Sequence, residues 1–159
     1  MRPYFPWDWR DFGIIPWGGR YVSNAVAAQF SYLQFAASAP GGYDLVILEI
    51  RSESGSLFTR VSTTTNTGVL TSQGVAPLDS AWGPYGNYNV NLADVSTSAT
   101  TGGALTGTEV AQITTAVPLI WPLILRAGIT GAFYAITPNV VNTQLICNVT
   151  GLLVPSTAL

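Results

Sequence analysis

The amino-acid sequence predicts an all-β fold, an antiparallel sandwich of about eight strands in a single domain. Segments of alternating apolar, β-branched and aromatic residues recur along the 159-residue chain, and turns containing Gly, Pro or Asn separate them. Only one stretch carries an ambiguous helical pattern. Short strands at this spacing, with little helix between them, are typical of sandwiches and barrels.

The first 19 residues differ from the rest and are expected to form an extended arm. They contain three of the ten prolines and three of the five tryptophans, and proline disfavours regular helix around it. Such a segment cannot bury its aromatic side chains against itself. We expect four of these side chains to anchor the arm on a partner surface, namely Trp7, Trp9, Phe12 and Trp17. The alternative is an arm that folds back along its own domain. Gly18 and Gly19 are the expected hinge to a sandwich domain of residues 20–159.

The first strands of that domain follow from alternation and turn residues. Residues 21–38 fit either a helical stripe or strands, and the β-rich sequence after them favours strands. The clearest strand, 43–51, is apolar at nearly every position and should be covered on both faces for most of its length. A hairpin loop at 52–56 is expected to return the chain antiparallel as a strand at 57–65.

The second half of the chain predicts further short strands. Pro118 and Pro122 should place one of them at a sheet edge or bend, because proline lacks the N–H that a central strand needs. The expected strands are 69–72, 89–95, 108–117, 119–126, 129–137 and 142–153.

One long loop, 77–88, is a candidate ligand platform. Its residues Trp82, Tyr85 and Tyr88 could stack on a sugar ring. Trp and Tyr are equally enriched at protein interfaces, so the alternative is a loop packed beneath an oligomer interface.

The residues that usually carry catalysis are scarce. The chain has no histidine, and its single cysteine, Cys147, can form no intrachain disulfide and is expected to be a small buried hydrophobe. Zinc or iron sites need clusters of such residues. Glu49 and Glu53 are interpreted as surface carboxylates near Arg51. The alternative is that they serve in a carboxylate-dependent hydrolase. The sequence therefore predicts no enzyme and no catalytic, cofactor or metal site.

The shortage of charge predicts assembly. Charged residues make up 9% of the chain, hydrophobic residues 48%, and lysine is absent, whereas soluble domains average roughly 25% charged residues. Six scattered arginines against eight carboxylates disfavour nucleic-acid binding. Prolines and glycines interrupt the longest apolar window, 116–136, which disfavours a membrane partner. Burial against other protein subunits is the remaining way to cover the apolar surface.

The C-terminal stretch resembles the closing half of small jelly-roll proteins from tailed-bacteriophage virions. Residues 121–136 contain a Pro-Leu-Ile-Leu-x-x-Gly strand end and a β-return, and residues 142–151 form a final strand ending in Gly. The resemblance implies a jelly-roll-like sandwich that oligomerises, often as a trimer, and decorates or cements the capsid surface. The implied partners are further copies and the major capsid protein or another virion protein. A carbohydrate-binding module on a tail fibre or cell surface, and a tail- or baseplate-associated structural protein, are the alternatives.

Overall fold

The computed structural model describes residues 13–23, 25–37, 43–63, 76–77, 90–93, 108–126 and 134–156. Every named regular element in these ranges is a β-strand, and the strands form two five-stranded antiparallel sheets. The all-β prediction is confirmed, with ten strands where about eight were expected. In chain order they are β1 (Ile15–Ser23), β2 (Leu33–Ala37), β3 (Tyr43–Ser52), β4 (Thr59–Thr63), β5 (Ala76–Pro77), β6 (Val90–Ala93), β7 (Thr108–Ile113), β8 (Leu123–Leu125), β9 (Tyr134–Pro138) and β10 (Leu145–Pro155).

The chain passes between the two sheets at most connections. The first sheet has the strand order β5-β1-β10-β3-β8, and the second has the order β6-β2-β9-β4-β7. Consecutive strands such as β1 and β2, or β3 and β4, therefore lie in different sheets. The two long strands β3 and β10 form the centre of the first sheet, together with β1.

This topology corrects the expected hairpin after β3. β3 pairs with β10 and β8, whereas β4 pairs with β7 and β9 in the other sheet. The loop 53–58 therefore crosses the end of the sandwich instead of closing a hairpin. The apolar run 43–51 and the alternation in 57–65 identified both strands correctly, but neither pattern distinguishes strands that pair from strands that face each other across a core.

The core lies between the sheets and is built by alternating positions of the long strands. In β10 the residues Leu145, Cys147, Val149 and Leu153 are buried, while the residues between them are mostly more exposed. Side chains from the second sheet complete the core opposite them, namely Leu33, Phe35, Val61, Ile113 and Ile136. The period-two pattern thus produces one continuous apolar layer between two sheets.

Trp17 belongs to this core, which corrects its expected role as an anchor on a partner. It is 0% exposed and lies in β1 opposite Gly151 of β10. A Cβ at Gly151 would lie 2.7 Å from the Trp17 indole and closer still to the carbonyl oxygen of Val46. A side chain at position 151 would therefore occupy space that the indole and the neighbouring backbone already fill.

The expected hinge is likewise a paired part of β1. Gly18 lies opposite Thr150 and Gly19 opposite Val149 in the antiparallel ladder. Strand β1 therefore begins at Ile15 and runs through the expected boundary at residue 20. The other three anchor candidates, Trp7, Trp9 and Phe12, lie outside the described residues.

Candidate interaction surface

Four connections meet at one end of the sandwich, which we call the loop end. They are the connections 24–32, 53–58, 114–122 and 139–144, the first of which the structure describes from residue 25 onward. In the first sheet Ser23 lies opposite Leu145 and Cys147 opposite Ser52, so the adjoining loops leave this sheet on the same side. In the second sheet Thr59 lies opposite both Ile113 and Pro138, which places the other ends of these loops together.

Loops 53–58 and 139–144 are joined by a reciprocal pair of hydrogen bonds. The Asn139 N–H donates to the carbonyl oxygen of Phe58 over 3.0 Å, and the Phe58 N–H donates to Oδ1 of Asn139 over 3.2 Å. The side-chain amide of Asn139 here continues the backbone pairing of the preceding strand, since Pro138 lies opposite Thr59.

A second asparagine joins loop 139–144 to loop 24–32. The Asn142 N–H donates to the carbonyl oxygen of Gln29, and Oδ1 of Asn142 accepts from the Ala28 N–H. Asn142 and Ala28 both have a φ of 59°, in the left-handed region, which asparagine tolerates better than most residues. The two asparagines thereby fix three of the four loops relative to one another.

Exposed apolar side chains are concentrated at this end. Of the nine large hydrophobic residues exposed within the described ranges, six lie on these four loops, namely Val26, Leu57, Val117, Ile120, Trp121 and Val140. Trp121 is 75% exposed and Ile120 is 66% exposed. Single exposed hydrophobics are normal on protein surfaces, but a cluster of this kind is typical of an interaction site.

Five of the nine form what we call the edge patch: Leu48, Val117, Ile120, Trp121 and Ile124. The patch lies along β8 and the residues before it. Strand β8 is the edge strand of the first sheet and pairs with β3 from Leu45 to Ile47. Leu119 is buried and exchanges two 2.9 Å backbone hydrogen bonds with Ile50, further along β3. Leu119 and Leu125 fasten the segment to the core at both ends, and Leu123 packs against the core between them. Ile120, Trp121 and Ile124 remain at the surface.

Ion pairs use every charged side chain in the described ranges. Arg20 lies 3.1 Å from Glu53, Arg126 lies 2.9 Å from Asp44, Arg60 lies 3.7 Å from Glu109, and Arg51 pairs with Glu49. These four arginines and four carboxylates are therefore paired within the chain, whose full sequence has a formal net charge of −2.

Glu53 is the only charged residue on the four loops. The side-chain amide of Asn148 and the guanidinium of Arg20 both donate to its carboxylate, and these hydrogen bonds lower its pKa below the usual value. Glu49, considered as a hydrolytic carboxylate, pairs with Arg51 instead. The lowered pKa of Glu53 is the opposite of the raised pKa that a general acid needs.

The one thiol in the chain is buried. Cys147 is 0% exposed and unbonded, and burial raises its pKa to about 12. A thiol in that state is a poor nucleophile. Within the described part of the chain, no group of three or more His, Cys, Asp or Glu residues is placed to bind a metal.

The edge patch was not predicted from the sequence. Residues 117–125 read Val-Pro-Leu-Ile-Trp-Pro-Leu-Ile-Leu, which predicts an apolar strand at a sheet edge, and β8 does occupy that edge. Composition alone does not distinguish residues of this run that are buried from those that are exposed. The pair Pro118 and Pro122 could have located the exposed residues. Proline cannot donate a backbone hydrogen bond, so regular strand pairing in this run is limited to β8. The aromatic loop with Trp82, Tyr85 and Tyr88 lies outside the described residues.

Comparisons with known proteins identify no relative: no family model matches the chain, and no curated protein or solved structure gives a significant match. Among the residues that the structure describes, no helix is long and apolar enough to cross a membrane.

Proposed function

We propose that this chain is a structural subunit of a virus particle, a capsid decoration or cement protein that assembles with copies of itself. Its proposed fold is a jelly roll and its proposed place is the capsid surface. The proposed mechanism is burial of apolar surface, with no chemical step. Three features of the molecule support this proposal, namely the strand order, the ion pairs that the described charged side chains form within the chain, and the exposed apolar side chains of the loop end.

The strand order supports a jelly roll. When the two short strands β5 and β6 are set aside, the sheets read β1-β10-β3-β8 and β2-β9-β4-β7. Eight antiparallel strands that alternate between two sheets in this order make two interlocked Greek keys. Viral capsid and lectin domains are among the proteins that use this arrangement.

The observation that carries the proposal is the pairing of all eight described charges on a sandwich with exposed apolar loops. Interface cores are depleted in charged residues and enriched in aromatic and aliphatic ones. Net charge of one sign keeps domains apart, and the formal net charge of the whole chain is only −2, so this repulsion between copies is weak.

The N-terminal segment supplies a second proposed contact. Trp7, Trp9 and Phe12 precede β1, and we propose that they dock on a neighbouring subunit or on the major capsid protein. Full burial of one large aromatic side chain removes ~150–250 Å² from water. At ~25 cal/mol per Å², three such residues gain on the order of 12 kcal/mol before the cost of ordering the segment.

The test has two readouts. Light scattering of the purified full chain, followed by negative-stain class averages, is expected to give a homo-oligomer with rotational symmetry, a trimer being favoured. Mass spectrometry of gradient-purified particles from lysed cells that carry the gene is expected to find the chain in the virion. A chain that is monomeric at all concentrations and absent from such particles would contradict the proposal.

A further inference from the structure

The edge patch combines three properties that together indicate what covers it. Its five side chains are apolar, it lies at one edge of the first sheet, and the segment that carries most of it is fastened to the core at Leu119 and Leu125. The patch is thus presented by a fixed segment. Its exposed apolar area is on the order of 500 Å², at the upper end for the largest patch on a monomer.

From these properties we propose that the edge patch is the surface through which copies of this chain bind one another, about the threefold axis of the favoured trimer or about a twofold axis. The inference rests on the proposed function, because it names the partner and the surface of the proposed assembly. It places the contact on residues 117–124 and Leu48. The contact thus lies at the β8 edge, away from the centres of the two sheet faces.

The area favours a second copy. A standard interface buries about 800 Å² on each partner, and specific contacts need roughly 1,000 Å² in total. Two edge patches in contact would bury on the order of 1,000 Å² of apolar surface between them. The polar residues around the patch add to this area, so the total reaches the range of specific interfaces.

The chemistry of the patch also favours a second copy. The apolar side chains require no matching donor or acceptor, so an identical patch is a complete partner. The two ion pairs that adjoin the patch in sequence, Arg126 with Asp44 and Arg51 with Glu49, are already formed within the chain, so these charges need no partner from a second copy. A membrane surface is less favoured, since the chain has a formal net charge of −2 and so no net positive charge to attract anionic headgroups.

The prolines determine the kind of contact. Edge strands often associate by adding a strand from another chain, which requires a row of backbone N–H and C=O groups. Pro118 and Pro122 lack an N–H, and β8 has only three residues. The two copies are therefore expected to meet through the side chains of the patch, with Trp121 as the main anchor because tryptophan is the residue most enriched at such contacts.

The experiment uses the full chain and four variants. Trp121→Ser and Ile120→Ser remove apolar surface from the patch, Trp121→Phe retains it, and Leu57→Ser removes a comparably exposed side chain from another loop. Molar mass is measured by light scattering over a range of protein concentrations, and thermal unfolding verifies that each variant is folded. We expect self-association to weaken at least tenfold in the two patch serine variants, and to change less than twofold in Trp121→Phe and Leu57→Ser.

Three outcomes would overturn the inference. If the patch serine variants keep the mass of an oligomeric wild type, association uses another surface, and the proposed function stands without this contact. If Leu57→Ser dissociates the oligomer as much as the patch serine variants do, association depends on exposed apolar area in general and not on the edge patch. If the wild type is monomeric and floats with phosphatidylcholine vesicles in a Trp121-dependent manner, the patch binds lipid, and the proposed self-assembly fails with it.

Discussion

Phe58 and Asn139, 81 positions apart in the chain, exchange two hydrogen bonds at the loop end of the sandwich. Each residue contributes its backbone N–H, and Asn139 also contributes its side-chain oxygen. The pair holds loop 139–144 against loop 53–58, and Asn142 holds the same loop against loop 24–32. The loop end is consequently a fixed surface, so fewer loop conformations are lost, and less conformational entropy with them, when a partner binds there.

The first prediction concerns Asn139. Asn139→Ala leaves the partly buried N–H of Phe58 without its acceptor, so the free energy of unfolding should fall by about 1–3 kcal/mol. Asn139→Asp retains an oxygen at that place and should lose less. Urea unfolding of both variants measures the difference, and equal losses would show that the hydrogen bond contributes little.

The second prediction concerns the close approach of β10 to Trp17. Gly151→Ala introduces a Cβ into space held by the Val46 carbonyl and the Trp17 ring, and should cost about 1–3 kcal/mol or more. Gly55→Ala is the matched control, because a Cβ there meets nothing within 4 Å. Thermal unfolding should rank the control close to wild type. A Gly151→Ala protein as stable as the control would contradict the packing described for Trp17.

The third prediction separates two tryptophans by their roles. Trp17→Ala should lower the free energy of unfolding by about 3–5 kcal/mol, since it opens a cavity in the core. Trp121→Ala should change the stability of the single subunit by less than about 0.5 kcal/mol, because the side chain is exposed. Denaturant unfolding at low protein concentration measures both. A large loss at Trp121 would mean that it packs within its own subunit.

The fourth prediction concerns alkaline pH. Burial raises the pKa of Cys147 from an ordinary value of 9.0 to about 12, and that of Tyr21 from 10.0 to about 12. The unfolded chain therefore releases both protons first, and stability that is complete below pH 9 should be lost as the pH rises from 9 towards 12. Unfolding experiments across this interval measure the loss. Cys147→Ala should be less sensitive between pH 9 and 10, where the unfolded thiol titrates ahead of the tyrosine. An unchanged slope there would contradict the burial of the thiol.

The elements that the sequence predicted well are those whose signal is local. The apolar run 43–51 became β3, the prolines around β8 indicated a sheet edge, and the last strand of the prediction overlaps β10. Alternation and turn residues act over a few positions, so they are legible without knowledge of the partner strand. The same holds for the buried state of Cys147.

The elements that were mispredicted depend on contacts distant in sequence. The pairing of β3 with β10 joins residues about 100 positions apart, and no local pattern distinguishes it from a hairpin with β4. Trp17 was assigned to an arm because of the prolines around it, but its position is determined by the gap above Gly151. The edge patch was missed for a similar reason, because exposure of Trp121 depends on where Leu119 and Leu125 attach.

The most direct test of the central claim is the molar mass of the unmodified full chain, measured by light scattering from low to high micromolar concentration. The account predicts a mass that is a whole multiple of the 16.8 kDa subunit and greater than one. A constant mass of one subunit throughout that range would contradict it.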